Sequence, residues 1–227
     1  IGQKLILVSP LEVCGALLAL LPTADFWHRV GFSALRILTG FVLAVTVGLL
    51  LGACGARWRW FGTLVGPVMQ LIRAMPVASF VILALLWVSG KNLSVIVSFT
   101  HVLPVVYAGT VGGIADTDPA LLEMAKVYRL PLGKRLRYIW LPGMFPSFCE
   151  NCIAAMGMCW KSGVSAEVIG LPDHSVGDAL YRAKITISTP EVFAWTLVIV
   201  LLSATLSTLA AWALRRAKRA LCGEVEG

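Results

Sequence analysis

Lys161 and Glu167 lie in an otherwise apolar stretch, GMCWKSGVSAEV. A charge inside such a segment is costly and marks function by default. Lys161 is deep enough to line a pathway and attract an anion, or to reach the interface along its own methylenes. Glu167, near the end of the stretch, is placed to meet a pathway, an external partner or an outer loop. Just upstream, Cys149, Cys152, Met156 and Cys159 recur at spacings of three, four and three, which puts four sulfurs on one helical face. Such a row could hold a soft metal ion, but it is also ordinary apolar filling. It has no histidine and only Glu150 beside it, so no metal is assigned and Met156 and Cys159 stay as pathway candidates. His28, His101 and His174 are scattered. No paired His, Ser-His or Asp-Asp constellation falls within the apolar segments, so an enzyme is disfavoured.

These side chains sit in a chain composed for a bilayer. Apolar residues make up 58% and charged residues 14%, against about 45–50% and about 25% in soluble domains. The mean hydropathy is +0.84. The net charge of +7 then reflects Lys and Arg gathered on one side of a membrane rather than a nucleic-acid partner. Five stretches are long enough to span: 31–54, 68–88, 93–115, 144–165 and 192–214. The chain opens on IGQKLILV rather than Met, and residues 1–8 are expected to finish an earlier span. Residues 10–21 are apolar but short and carry Glu12, which predicts an interfacial helix. Most of the six cysteines fall in or beside apolar segments, so they do not read as a secreted disulfide framework. The expectation is an all-α, polytopic transmembrane bundle, a single domain over 1–227.

Orientation follows from the basic residues. The connections 55–67, 116–143 and the end after 214 hold eleven Lys and Arg, and the opposite set holds four, Arg29, Lys91, Arg182 and Lys184. The first set is therefore cytoplasmic. Arg36 and Arg73 lie near span ends, where they could snorkel. Small residues at four-residue spacing, Gly40, Ala44, Gly48 and Gly52, form a stripe suited to close helix packing, within one subunit or between two.

The cytoplasmic connection 116–142 has structure of its own. Asp118 followed by Pro119 is a cap and a first-turn proline, which starts a helix over 119–129. Leu121, Leu122, Ala125 and Tyr128 make an apolar face on it. Pro131 disfavours helix at Leu130 and is expected to supply the break. A second short helix over 132–140 then returns Leu136, Ile139 and Trp140 to the bilayer, and Leu141-Pro142 marks entry to the next span. An amphipathic helix lying on anionic lipid is one reading. Glu123 and the sharp Leu130-Pro131 turn favour the other, a docking knob for a soluble partner.

This loop resembles the "EAA" loop of ABC importer permeases, whose pattern runs Glu-Ala-Ala, three residues, Gly, nine residues, Ile, one residue, Leu-Pro. Glu123, Ala125, Ile139, Leu141 and Pro142 fall on it, while Met124 replaces an Ala and Arg129 stands where Gly is usual. Ser9-Pro10, Ser33, Arg36, Gly40 to Gly52, the RAMP of Arg73 to Pro76, Trp160, Ala166 and Glu167 extend the likeness to the nitrate/sulfonate/taurine-type permeases. The resemblance implies the type I importer permease fold, with about five complete spans plus the tail of an earlier one. It implies a homodimer forming the pathway, two ABC ATPase subunits below, and a substrate-binding protein outside. ATPase coupling would rest on Asp118, Leu121, Leu122, Glu123, Ala125, Lys126, Arg129, Leu130 and Gly133. With no G-x-x-x-x-G-K-[ST] loop in the sequence, ATP and Mg are expected on the partner ATPase, and no cofactor in this chain. The expected place is the bacterial cytoplasmic (inner) membrane, in contact with lipid. A membrane anchor or channel-like subunit without an ATPase is the alternative.

Overall fold

The computed structural model describes residues 8–222, with side chains as far as Arg216. The expected end of an earlier span over residues 1–8 falls almost wholly outside them. Every regular element among the described residues is helical. A short helix, α1 (Pro10–Leu20), is closed by a capping box: Ser9 Oγ accepts from the Leu11 N–H, and Glu12 Oε2 accepts from the Ser9 N–H at 3.1 Å. None of its residues is buried. The long helices follow: α2 (Ala24–Arg57), α3 (Arg59–Ala74), α4 (Val77–Ala84) and α5 (Gly90–Ala115). The connection 116–142 carries α6 (Pro119–Val127) and α7 (Leu132–Arg135); α8 (Leu141–Gly170), α9 (Val176–Ile185) and α10 (Thr189–Cys222) complete the chain.

Three expectations are corrected. The stretch 68–88 is not one helix: α3 and α4 are a bent pair separated at Met75-Pro76. Pro76 lies at φ −62°, ψ 131° and pushes the residue before it out of helical geometry. The connection 55–67 is not a loop, because only Trp58 separates α2 from α3. Third, no break occurs at Leu141-Pro142. The backbone is helical without interruption from Leu132 to Gly170, with a wider π turn at Leu136–Trp140. Pro142 has no N–H and its ring crowds the carbonyl four residues back, and a five-residue register just before it absorbs both effects. By length and composition α2, α5 and Thr189–Arg216 of α10 can each cross a membrane, and there are four such segments if the α3–α4 pair counts as one broken span. α8 is long enough, but Glu150, Lys161 and Glu167 interrupt its apolar run, and the expected span over 144–165 is not among them.

The chain divides into two compact units. One takes in the chain up to Val42, Met75–Phe99 and Met158–Thr205. Its core includes Val81, Ala84, Leu93, Val97 and Ala166. Phe26 stacks on Trp195, and the buried Trp160 donates its indole N–H to the Ile199 carbonyl at 3.0 Å. The other comprises Leu43–Ala74, Thr100–Gly157 and the chain from Leu206. There, glycines bring helices close: Gly109 lies against the Asn151 side chain, and Gly113 against the Met144 backbone.

Candidate functional site

The connection 116–142 folds as a helix, a tight turn and a helix. Asp118 Oδ1 accepts from the Ala120 N–H at 2.9 Å, and Pro119 opens α6. At the other end the Arg129 N–H donates to the Lys126 carbonyl at 3.1 Å, and the Leu130 N–H to the Ala125 carbonyl at 3.0 Å. This pair of bonds is a Schellman closure, which needs a left-handed residue at Arg129. Arg129 has φ 47°. The position where the loop pattern has Gly is thus the position whose backbone favours Gly. The turn is made there and not by Pro131, which lies at φ −63°, ψ 151° as the residue that starts α7. Arg135 Nη2 also donates to the Ala125 carbonyl, at 3.0 Å, so two donors converge on one oxygen.

Ala125 is fully buried, while Leu122 and Leu130 are half-buried. The rest of the expected apolar face is not covered. Leu121 and Met124 are each 42% exposed and Tyr128 is 73% exposed. A helix of nine residues is only about 14 Å long, so one turn of it packs and its ends do not. Glu123, Lys126, Arg129 and Gly133 are exposed. Among the described residues Glu123 has no ion-pair partner.

Within the first unit, Glu167 is buried completely. Ser33 Oγ donates to Glu167 Oε2 at 2.7 Å, the Gly177 N–H donates to the same oxygen at 3.4 Å, and the Val176 N–H donates to Ser33 Oγ at 2.9 Å. The carboxyl therefore sits at the N-terminal end of α9, whose free N–H groups favour an acceptor there. A Cβ at Gly177 would collide with the Glu167 backbone, so glycine permits the approach. Arg29 and Arg182 both pair with Asp178 of α9, at 3.0 and 2.8 Å. Arg36 lies over the Phe32 ring at 4.9 Å.

Other predicted residues are placed as follows. Lys161 is exposed on α8. Met156 and Cys159 are buried with Cys149 and Cys152, and the Cys159 thiol reaches the Ile37 carbonyl at 3.7 Å. Among the described residues no group of three or more His, Cys, Asp or Glu is arranged to hold a metal. In the first unit Gly40 meets the Val95 carbonyl and Ser98. In the second, a Cβ on Gly48 would lie 2.9 Å from Val106, and one on Gly52 would lie 2.6 Å from Thr110. Ala44 is fully buried. The small-residue stripe thus faces α5 of the same chain.

Two sets of polar residues are not brought together as sites by the sequence, although Ser33 and Arg73 fall within the family likeness. Ser33 and Asp178 act through partners far away in sequence. Arg59, Thr63, Gln70 and Arg73 line a cavity of about 630 Å³ in the second unit. Their spacing of four, seven and three on α3 was a readable signal, but an expected loop over 55–67 cut it in two.

The family model for the binding-protein-dependent transport system inner membrane component matches residues 33–221. The putative aliphatic sulfonates transport permease protein SsuC of Escherichia coli is 27% identical over 82% of this chain and 71% of its own length. The protein of the same description from Bacillus subtilis is 24% identical over 83% of this chain and 68% of its own. Among solved structures, the MetNI methionine ABC transporter in inward-facing conformations has a similar fold, with a TM-score of 0.58 at 15% identity, covering 86% of this chain and 93% of that one. The chain therefore belongs to the inner membrane components of binding-protein-dependent transport systems, as a multi-pass permease subunit of an ABC importer.

Proposed function

We propose that residues 1–227 work as one permease domain in a bacterial inner membrane, with 116–142 as its coupling loop. Two copies of the chain line a pathway, each with an ATPase subunit below it, and a binding protein delivers cargo from outside. ATP and Mg belong to the ATPase partners. Closure of the ATPase pair draws the two α6 helices together and turns the pathway from inward-open to outward-open. Coupling centres on Glu123, Lys126 and the half-exposed Leu121 and Met124.

The observation that carries this reading is the build of α6. It is capped by Asp118, closed by the Arg129 turn and fastened by Arg135. It also leaves Leu121, Met124, Val127 and Tyr128 uncovered beside Glu123 and Lys126. A helix lying on lipid needs no such closure; a knob that must hold its shape in a protein cleft does. Relatives described as aliphatic sulfonates permeases make a sulfonate the first cargo to test. The test is expression with the neighbouring ATPase. The wild-type chain is expected to co-purify with it, and Glu123→Lys is expected to lower uptake at least about tenfold while ATP hydrolysis continues. Absence of any ATPase from the wild-type preparation, or unchanged uptake by the variant, would reject the reading.

A further inference from the structure

Helix α3 shows three sides. Met69 is buried, while Trp60, Leu64, Val68 and Leu71 form an exposed apolar edge. The third side is polar: Arg59, Thr63, Gln70 and Arg73 fall on one face and line the cavity of about 630 Å³, opposite Tyr107 and Gly112 of α5. That volume lies within the range of ligand sites. The lining holds two guanidinium groups and no carboxylate. Neither Arg59 nor Arg73 has an ion-pair partner among the described residues. Cations in a membrane chain that face a cavity and lack a counter-ion mark a functional surface. At 1.5 Å per residue the two arginines stand about 21 Å apart along the axis, too far to clamp one small ion.

We propose that this face of α3 is a stepped path for small oxyanions, with Arg59 and Arg73 as its two stations, Gln70 as a donor between them and Thr63 on the wall. The proposal rests on the importer reading above and names residues that would meet the cargo. A guanidinium offers paired N–H donors that match two oxygens of a sulfonate or carboxylate. The Thr63 hydroxyl donates to the Arg59 carbonyl at 2.8 Å, so the amide of Gln70 is the weaker donor between the stations, where an anion is held briefly and released. The apolar wall at Met69 and Val111 accommodates an organic tail. Two like charges on a low-dielectric wall concentrate anions and repel cations.

The test measures thiol modification in the full chain bound to its ATPase in nanodiscs, with Cys14, Cys54 and Cys222 replaced by serine. In Thr63→Cys and, separately, Gln70→Cys, a sulfonate-bearing thiosulfonate reagent is expected to react about tenfold or more faster than its trimethylammonium counterpart. Millimolar methanesulfonate should slow that reaction, and choline should not. Adding Arg59→Gln and Arg73→Gln should bring the two rates within about twofold, whereas Lys91→Gln should leave the ratio unchanged. Equal rates, unreactive thiols at both positions, or a ratio indifferent to the arginines would overturn the proposal. So would a ratio that follows the headgroup charge of the nanodisc lipid without protection by methanesulfonate, because the arginines would then serve lipid phosphates. The ATPase retained in each sample reports on the importer reading separately, so the two can fail independently.

Discussion

Arg129 and Glu167 show how single side chains bear on the assembly in opposite ways. Arg129 occupies a left-handed conformation, φ 47°, which costs a side chain with a Cβ about 1 kcal/mol relative to glycine. Arg129→Gly is therefore expected to tighten the turn, and amide hydrogen exchange at Leu130 should slow about fivefold. An unchanged rate would mean that the surrounding contacts already relieve the conformation. Glu167 holds Ser33 and the start of α9 through one oxygen. Glu167→Ala would leave a space and two polar groups without their acceptor, with an expected loss of about 3 kcal/mol. Glu167→Gln keeps an oxygen for Ser33 and should lose less than half of that, read by thermal unfolding of the purified complex. The turn at 128–130 was half legible: the loop pattern marks a glycine position, and the backbone there obeys it although the residue does not. The role of Glu167 was not legible, because its partner Ser33 is 134 positions away and no local periodicity encodes such a contact.

At the level of elements, the reading succeeded where a helix announces its own ends. Asp118-Pro119 starts α6 as expected, and α1 lies within 10–21 behind its capping box. It failed where hydrophobicity was taken to define the helix. The apolar windows trim α2, α8 and α10, whose polar ends continue as helix beyond the hydrocarbon-like stretch. The apolar run over 68–88 likewise hid the helix break before Pro76, and the polar ladder of α3 went unseen with it. The contact of α2 with α5 yields a prediction at this scale. Gly48→Leu would drive a side chain into Val106 and the Leu103 carbonyl, at a cost of about 2 kcal/mol. Combining it with Val106→Ala should recover part of the lost melting temperature. No recovery would show that the clash lies with the backbone instead.

For the whole chain, eleven basic residues on one set of connections against four on the other predict the direction of insertion. A cysteine at Lys126 should label with an impermeant thiol reagent only when the cytoplasmic face is opened. A cysteine at Lys184, in α9, should label in intact spheroplasts. The reverse pattern would invert the topology. The Ala125 carbonyl, which receives both the Leu130 N–H and the Arg135 guanidinium, has a mechanical meaning as well. A pull on α6 does not load a single peptide link at the elbow. It is shared between a backbone strut and a side-chain guy that spans the bend, and the joint resists opening from either direction. An elbow braced in this way is suited to pass displacement onward and not to dissipate it as local unfolding, as the proposed coupling to an ATPase would require.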